Sequence, residues 1–226
     1  MPRGRSYQWQ MLVLLVVFLL IVGLSAISPV NRHDWLMENL LVVVLGIAIA
    51  AGSRQFLFSR LSFCLIFLFL CLHELGAHYT YAKVPYDQWW HAMTGQTLTD
   101  ALGLDRNYFD RLVHLSYGLL FTYPLREALL RLVRTRGFMS YLLAFTLVMC
   151  SSALYELIEW IGGAFLGDDT AAAYIGAQND PWDSQKDMAM AMVGCLLNLA
   201  LTALVNRIKG RDAALDWAER FRSGPA

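Results

Sequence analysis

Charge is scarce in this chain, and what there is cancels. Only 16% of the 226 residues are charged, and 18 Lys and Arg balance 18 Asp and Glu. Without a basic excess the footprint of a nucleic-acid surface is missing, and no nucleic-acid partner is expected. Cysteine is sparse too. The four present, Cys64, Cys71, Cys150 and Cys195, all lie inside apolar runs, so a disulfide framework is not expected. The chain has no glycine-rich phosphate loop and no Gly-x-Ser-x-Gly elbow, so the mononucleotide-loop and serine-hydrolase classes fit it poorly. Internal repeats, low-complexity tracts and a second composition are also lacking, and one domain over residues 1–226 is expected.

What the chain does have is apolar length. Hydrophobic residues make up 57% of it and the mean hydropathy is +0.44, too apolar for an ordinary soluble domain. Six runs approach spanning length: Gln10–Ile27, Leu36–Ala51, Leu57–His73, Leu112–Leu130, Phe138–Ile161 and Asp187–Arg207. The expected fold class is therefore all-α, a polytopic membrane bundle of six transmembrane helices. The first run follows Arg3 and Arg5 but ends in Ser25-Ala26-Ile27, a poor cleavage site, and reads as an uncleaved helix. After the last run, Leu215, Ala218 and Phe221 recur at helical spacing, so residues 212–221 are expected to form a cytoplasmic surface helix.

The connecting segments assign a direction. Thirteen Lys and Arg fall on the side holding both termini and five on the other; cytoplasmic loops carry the excess, so both termini are expected in the cytoplasm of a bacterial inner membrane. All five histidines and 14 of the 18 acids then lie at the outer face. Trp35, Trp89, Trp90, Trp160 and Trp182 mark the outer headgroup level. Two outer connections are long, Glu74–Arg111 and Gly162–Lys186, and Pro85–His91 in the first reads as a short interfacial helix.

Acids and imidazoles converge on the outer ends of four of these helices. His73-Glu74-Leu75-Gly76-Ala77-His78 closes the third, and Asp110 and His114 share a face at the start of the fourth. Glu156 and Glu159 share a face at the end of the fifth, with Ser152 one turn deeper, and Asp183 and Asp187 open the sixth. Below Asp187 a stripe of Met190, Gly194 and Asn198 suits close helix packing. Carboxylates so near hydrocarbon are costly unless paired, protonated or bound to a cation. His with Asp and Glu is the ligand set of Zn, Mn or Fe, so the candidate ligands are His73, His78, Asp110, His114, Glu156, Glu159, Asp183 and Asp187. Glu156, Glu159 and Asp187 are the candidate catalytic acids and bases. Plainer roles compete: Asp110 and Asp183 as helix caps, Glu156 and Glu159 as partners of Arg111 or Lys186, and His73 with Glu74 as a hydrogen-bonded helix end. His33 and His91 read as solvated.

Four strings carry a resemblance: His73-Glu74-Leu75-Gly76-Ala77-His78-Tyr79-Thr80-Tyr81, Asp110-Arg111-Leu112-Val113-His114, Glu156-Leu157-Ile158-Glu159-Trp160, and Gln178 through Met188. They resemble the bacterial YjdF family of inner-membrane proteins, for which no function is known, over nearly the whole chain. The second half is more distantly similar to VanZ-like membrane proteins, which are linked to glycopeptide resistance at the cell envelope. There too an Asp-x-x-x-His opens one helix and acids follow on the next. Neither resemblance implies a particular reaction.

Two functional classes follow. One is a metal-dependent enzyme acting on a lipid or lipid-linked envelope precursor at headgroup depth, with Lys83, Arg106, Arg111 and Lys186 as the only cations to steer a phosphate. The other is a cation or small-molecule binder or transporter, for which Thr122 and Asn198 are the few polar residues continuing inward. An accessory subunit docking a partner through the outer loops remains a third.

Overall fold

Apolar helices dominate the computed structural model, which describes residues 4–52, 57–166, 178 and 180–220. Arg3, Arg54, Asp168, Asp169, Phe221 and Arg222, used above in counting charge and helical spacing, lie outside the described residues, as does most of the connection expected after Ile161. Among the described residues there are nine helices: α1 (Arg5–Ser25), α2 (Arg32–Gly52), α3 (Arg60–His78), α4 (Tyr86–Thr94), α5 (Leu98–Leu102), α6 (Phe109–Leu132), α7 (Gly137–Leu166), α8 (Asp183–Lys209) and α9 (Ala213–Arg220).

Five of them, α1, α2, α3, α7 and α8, are long and apolar enough to cross a membrane. They turn Leu, Val and Ile outward. Leu12, Leu19, Val43, Ile47, Leu197 and Leu204 are all largely exposed, the pattern of a surface solvated by lipid. The sixth expected span is α6. Its 24 residues reach about 36 Å at 1.5 Å per residue, enough for a hydrocarbon layer of about 30 Å. It stands apart in composition because Asp110, Arg111, Arg126, Glu127 and Arg131 crowd its two ends.

Those charges mark α6 as the hub. It packs against α3, α7, α8 and α9, and Asp110, Arg111, Arg126 and Glu127 are all buried in these contacts. Pro124 lies inside it without ending it.

The contact between α6 and α8 is the closest in the bundle. A Cβ on Gly118 would lie 2.0 Å from the Ala191 carbonyl oxygen, and one on Gly194 2.1 Å from that of Leu115. Each glycine thus lets the other helix's backbone in, the small-residue packing that brings membrane helices together. Asn198 Nδ2 donates to the Leu119 carbonyl at 2.8 Å across the same seam, and Thr122 Oγ1 to the Gly118 carbonyl at 2.6 Å. These two polar residues serve the α6–α8 seam, so their presence below the site needs no transport path to explain it.

The end of the bundle remote from the acid cluster is locked by polar contacts. Arg126 pairs with Asp212, donates to Ser140 Oγ at 3.1 Å and stacks 4.1 Å from the Tyr141 ring centre. Asp212 in turn caps α9, accepting from Ala214 N and Leu215 N. Glu127 accepts from Ser59 N at 2.6 Å and from Ser62 Oγ at 2.9 Å, fastening the start of α3. Gly210, in the left-handed region at φ 62°, makes the sharp turn from α8 into α9.

Several boundaries differ from the hydropathy reading. α3 continues through His78, α7 through Leu166, and α8 begins at Asp183 rather than Asp187. Hydropathy falls where side chains turn polar, whereas backbone hydrogen bonding carries a helix on through the polar layer. The short outer helix is α4, Tyr86–Thr94.

Candidate functional site: a carboxylate and imidazole cluster above an apolar cavity

The α6–α8 crossing sets the geometry. Asp110 and His114 stand one turn apart on α6, above Gly118, and Asp187 stands two turns above Gly194 on α8. Because the backbones nearly touch below, these side chains meet above. His114 Nε2 lies 3.5 Å from Asp110 Oδ1, 3.6 Å from Glu156 Oε1 and 3.9 Å from Asp187 Oδ1. Asp110, His114 and Asp187 each place a ligand atom within 4.8 Å of the others. All four residues are buried, and Glu156 Oε1 and Asp187 Oδ1 have no hydrogen-bond partner.

Two orphaned, buried carboxylate oxygens facing one imidazole nitrogen call for a cation or a proton among them. Zn–N and Zn–O bonds of about 2.0–2.2 Å imply ligand-to-ligand edges of about 3.4 Å in a tetrahedron; the separations at His114 start at 3.5 Å and reach 3.9 Å, and the ligand atoms of Asp110, His114 and Asp187 lie within 4.8 Å of one another.

Glu159, one turn beyond Glu156 on α7, lies in the field of Asp110, Glu156 and Glu38 and beside Tyr155. The second carboxyl oxygen of Asp187, Oδ2, is paired with Arg111. Arg111 also holds Asp183 Oδ1 at 2.5 Å and Asp180 Oδ2 at 3.2 Å, while Arg106 reaches Asp183 at 2.7 Å.

Asp183 is therefore an ion-pair partner with its carboxylate turned to the arginines, which departs from its expected place in the ligand set. Neither Asp110 nor Asp183 caps a helix: the caps are Tyr108 and Trp182, with no side-chain bond. Glu156 faces His114 rather than Arg111, and Lys186 pairs with Asp180 at 2.7 Å. Three of the four cations expected to steer a phosphate, Arg106, Arg111 and Lys186, are thus committed to aspartates; Lys83 is exposed. A long acidic side chain over a long apolar run could pair with any of them, and only tertiary contact selects.

His73 sits apart from His114 in the hydrogen-bond network, on α3. Its Nδ1 meets the Tyr81 hydroxyl at 2.6 Å. Burial first, and then the nearby carboxylates Glu38 and Asp110, hold the Tyr81 phenol well above its ordinary pKa. Tyr81 therefore keeps its proton, and the contact fixes the orientation of the His73 ring whichever of the two groups donates. Gly76 makes this possible, since a Cβ there would lie 2.6 Å from the Tyr81 ring. His78 turns toward α1, its Nδ1 2.8 Å from the Ser25 carbonyl oxygen. Glu74 points the same way, accepting from Ser25 Oγ at 2.6 Å. His78 is thus engaged with the α1 end and stands outside the His114 group.

Beneath the cluster lies a cavity of about 320 Å³ between α2, α3, α6 and α7. Its wall is mostly apolar, with Leu45, Phe69, Phe121 and Leu147 among its lining, and His73, His114, Tyr155 and Ser152 at its polar end. Opposite α7, its wall is α2, which touches α3 only sparsely. Tyr155 of α7 reaches across to Glu38 of α2, its hydroxyl 3.2 Å from Oε2.

Glu38 and Tyr155 are site residues absent from the expected set. Glu38 had a signal, an ionisable group inside the second apolar run, which is a functional flag by default. Tyr155 had none, because a tyrosine in an apolar helix looks like packing.

Comparison with known proteins adds the family. The family described as "Predicted membrane protein (DUF2238)" matches residues 10–207. Inner membrane protein YjdF of Escherichia coli (strain K12) is 35% identical over 186 residues, which is 81% of this chain and 84% of the relative. No solved structure matches the chain.

Proposed function

The chain belongs to the DUF2238 family of membrane proteins, and on that premise we propose that it is a multi-pass protein of a bacterial inner membrane with a divalent-metal centre at its outer face. The observation that carries the centre is the convergence of Asp110, His114 and Asp187 within 4.8 Å. Glu156 completes the group from α7. In this reading six helices span, α6 included, and both termini are cytoplasmic, in accord with the inner-membrane relative and the Lys and Arg asymmetry. The chain forms one integral domain, and α9 lies on the cytoplasmic surface.

Zn, Mn or Fe would be held by Asp110, His114, Asp187 and Glu156, and would polarise a substrate oxygen or activate water. Glu156 and Glu159 are placed to hold or move a proton beside it. The substrate class is a lipid or lipid-linked envelope precursor, since the cluster opens onto an apolar cavity.

The test is elemental analysis of protein purified without chelators. One divalent ion per chain is expected in the wild type, falling to background in His114→Ala and Asp187→Asn. A wild-type protein that folds without stoichiometric metal removes the metal centre. The second reading, a proton- or cation-binding carrier, then takes its place, because the same orphaned oxygens accept a proton.

A further inference from the structure

Two polar atoms in the wall of the apolar cavity lack partners. His73 Nε2 has no hydrogen-bond partner, although the Glu38 backbone stands near, and Ser152 Oγ has none either. Both residues are more than nine-tenths buried, and both line the cavity. Buried polar atoms left unpaired are costly in a folded protein. They come from different helices, α3 and α7. The His73 ring is held in place by Tyr81, with Gly76 clearing the space. The protein thus sets an unpaired imidazole nitrogen in the cavity wall.

We infer that the cavity is the seat of one hydrocarbon chain of a lipid, whose hydroxyl or carbonyl oxygen is received by His73 Nε2 and Ser152 Oγ. This rests on the metal-centre reading for the reactive end of the ligand, and adds which part of the lipid the cavity takes and which two atoms receive its oxygen. The volume of about 320 Å³ admits about ten groups of water or methylene size at 30 Å³ each, the bulk of one acyl or prenyl segment and too little for two. The depth and apolarity of the wall exclude a charged group there. A neutral oxygen is what an imidazole nitrogen and a serine hydroxyl can both engage. The chain enters from the bilayer between α2 and α7, where the Tyr155–Glu38 contact bridges the gap. Its oxygen is then set beside His114, at the edge of the carboxylate cluster.

The probe is a long-chain alcohol carrying a mid-chain diazirine, added to the full-length protein in detergent, photolysed, and mapped by mass spectrometry. Labelling is expected in the α2, α6 and α7 segments that line the cavity, and is expected to be lost in Leu45→Trp, which fills it. His73→Phe is expected to weaken competition by the unlabelled alcohol about tenfold while leaving competition by the matching alkane unchanged. Metal content is measured on the same samples. Labelling confined to exposed α1 positions such as Leu12 and Leu19, or unchanged in Leu45→Trp, overturns the inference even if metal is bound. Cavity labelling in a protein without metal overturns only the metal reading.

Discussion

Gly118 of α6 and Gly194 of α8 face each other's helices across a gap too small for a side chain: a Cβ on Gly118 would lie 2.0 Å from the Ala191 oxygen and one on Gly194 2.1 Å from the Leu115 oxygen. This reciprocal approach holds α6 and α8 at near-backbone contact and so fixes how far His114 stands from Asp187 above it.

Gly194→Ala is therefore expected to force the helices apart, costing about 1–3 kcal/mol as an overpacked core does. Thermal unfolding in detergent should show a lowered midpoint. Metal content should fall with it, since separating α8 carries Asp187 away from His114. Substituting Gly46, which meets nothing within 4 Å, should change neither.

Tyr81→Phe removes the hydroxyl that meets His73 Nδ1 at 2.6 Å. A stability loss of about 1 kcal/mol is expected, and alcohol competition in the photolabelling assay should weaken because the His73 ring is no longer held in place. A Gly76→Ala protein should lose more, since its Cβ displaces the whole ring. Equal behaviour of Tyr81→Phe and wild type in both assays would refute the positioning role.

Arg126 and Asp212 form the lock at the other end. Burial pulls the Asp212 carboxyl upward, but the Arg126 hydrogen bond and charge outweigh it, and its pKa lies below the ordinary carboxylate value. A depressed folded pKa means that its stabilisation is present above the unfolded value and is lost as pH falls through the folded one. The unfolding midpoint of the wild type should thus drop on acidification below the ordinary carboxylate range, and Asp212→Asn should flatten that drop. Arg126→Ala leaves Glu127 intact but removes the tie to α9, with an expected cost of about 3–5 kcal/mol for breaking a buried pair and faster proteolysis near Gly210.

Bound metal should stabilise the fold by mass action. A divalent ion at a hundred times its Kd adds about 2.7 kcal/mol, so chelation should lower the wild-type midpoint and leave His114→Ala unmoved. Equal shifts in both would place any binding elsewhere.

Topology is checked with single cysteines in a protein lacking Cys64, Cys71, Cys150 and Cys195. In intact cells an impermeant maleimide should label Thr94→Cys in α4 and spare Arg134→Cys between α6 and α7. The reverse pattern would invert the orientation.

The helical membrane character was legible because it depends on composition and local periodicity: apolar runs, sparse charge, and tryptophans at their ends. The shared face of Asp110 and His114 was legible for the same local reason, since residues three or four apart lie on one side of a helix. What the sequence could not supply was pairing between helices. Asp183 and Asp187 are four apart on one face, yet Asp183 is tied to Arg106 and Arg111 while Asp187 keeps one oxygen for His114. His73 and His78 close the same helix, yet one faces the cavity and the other the end of α1. Glu38 joined the site from α2, and the apolar cavity arose from four helices, none of which encodes a void. Local sequence set which faces are polar; the glycine contact of α6 with α8, and the rotation each helix takes in the bundle, decided which of those faces meet.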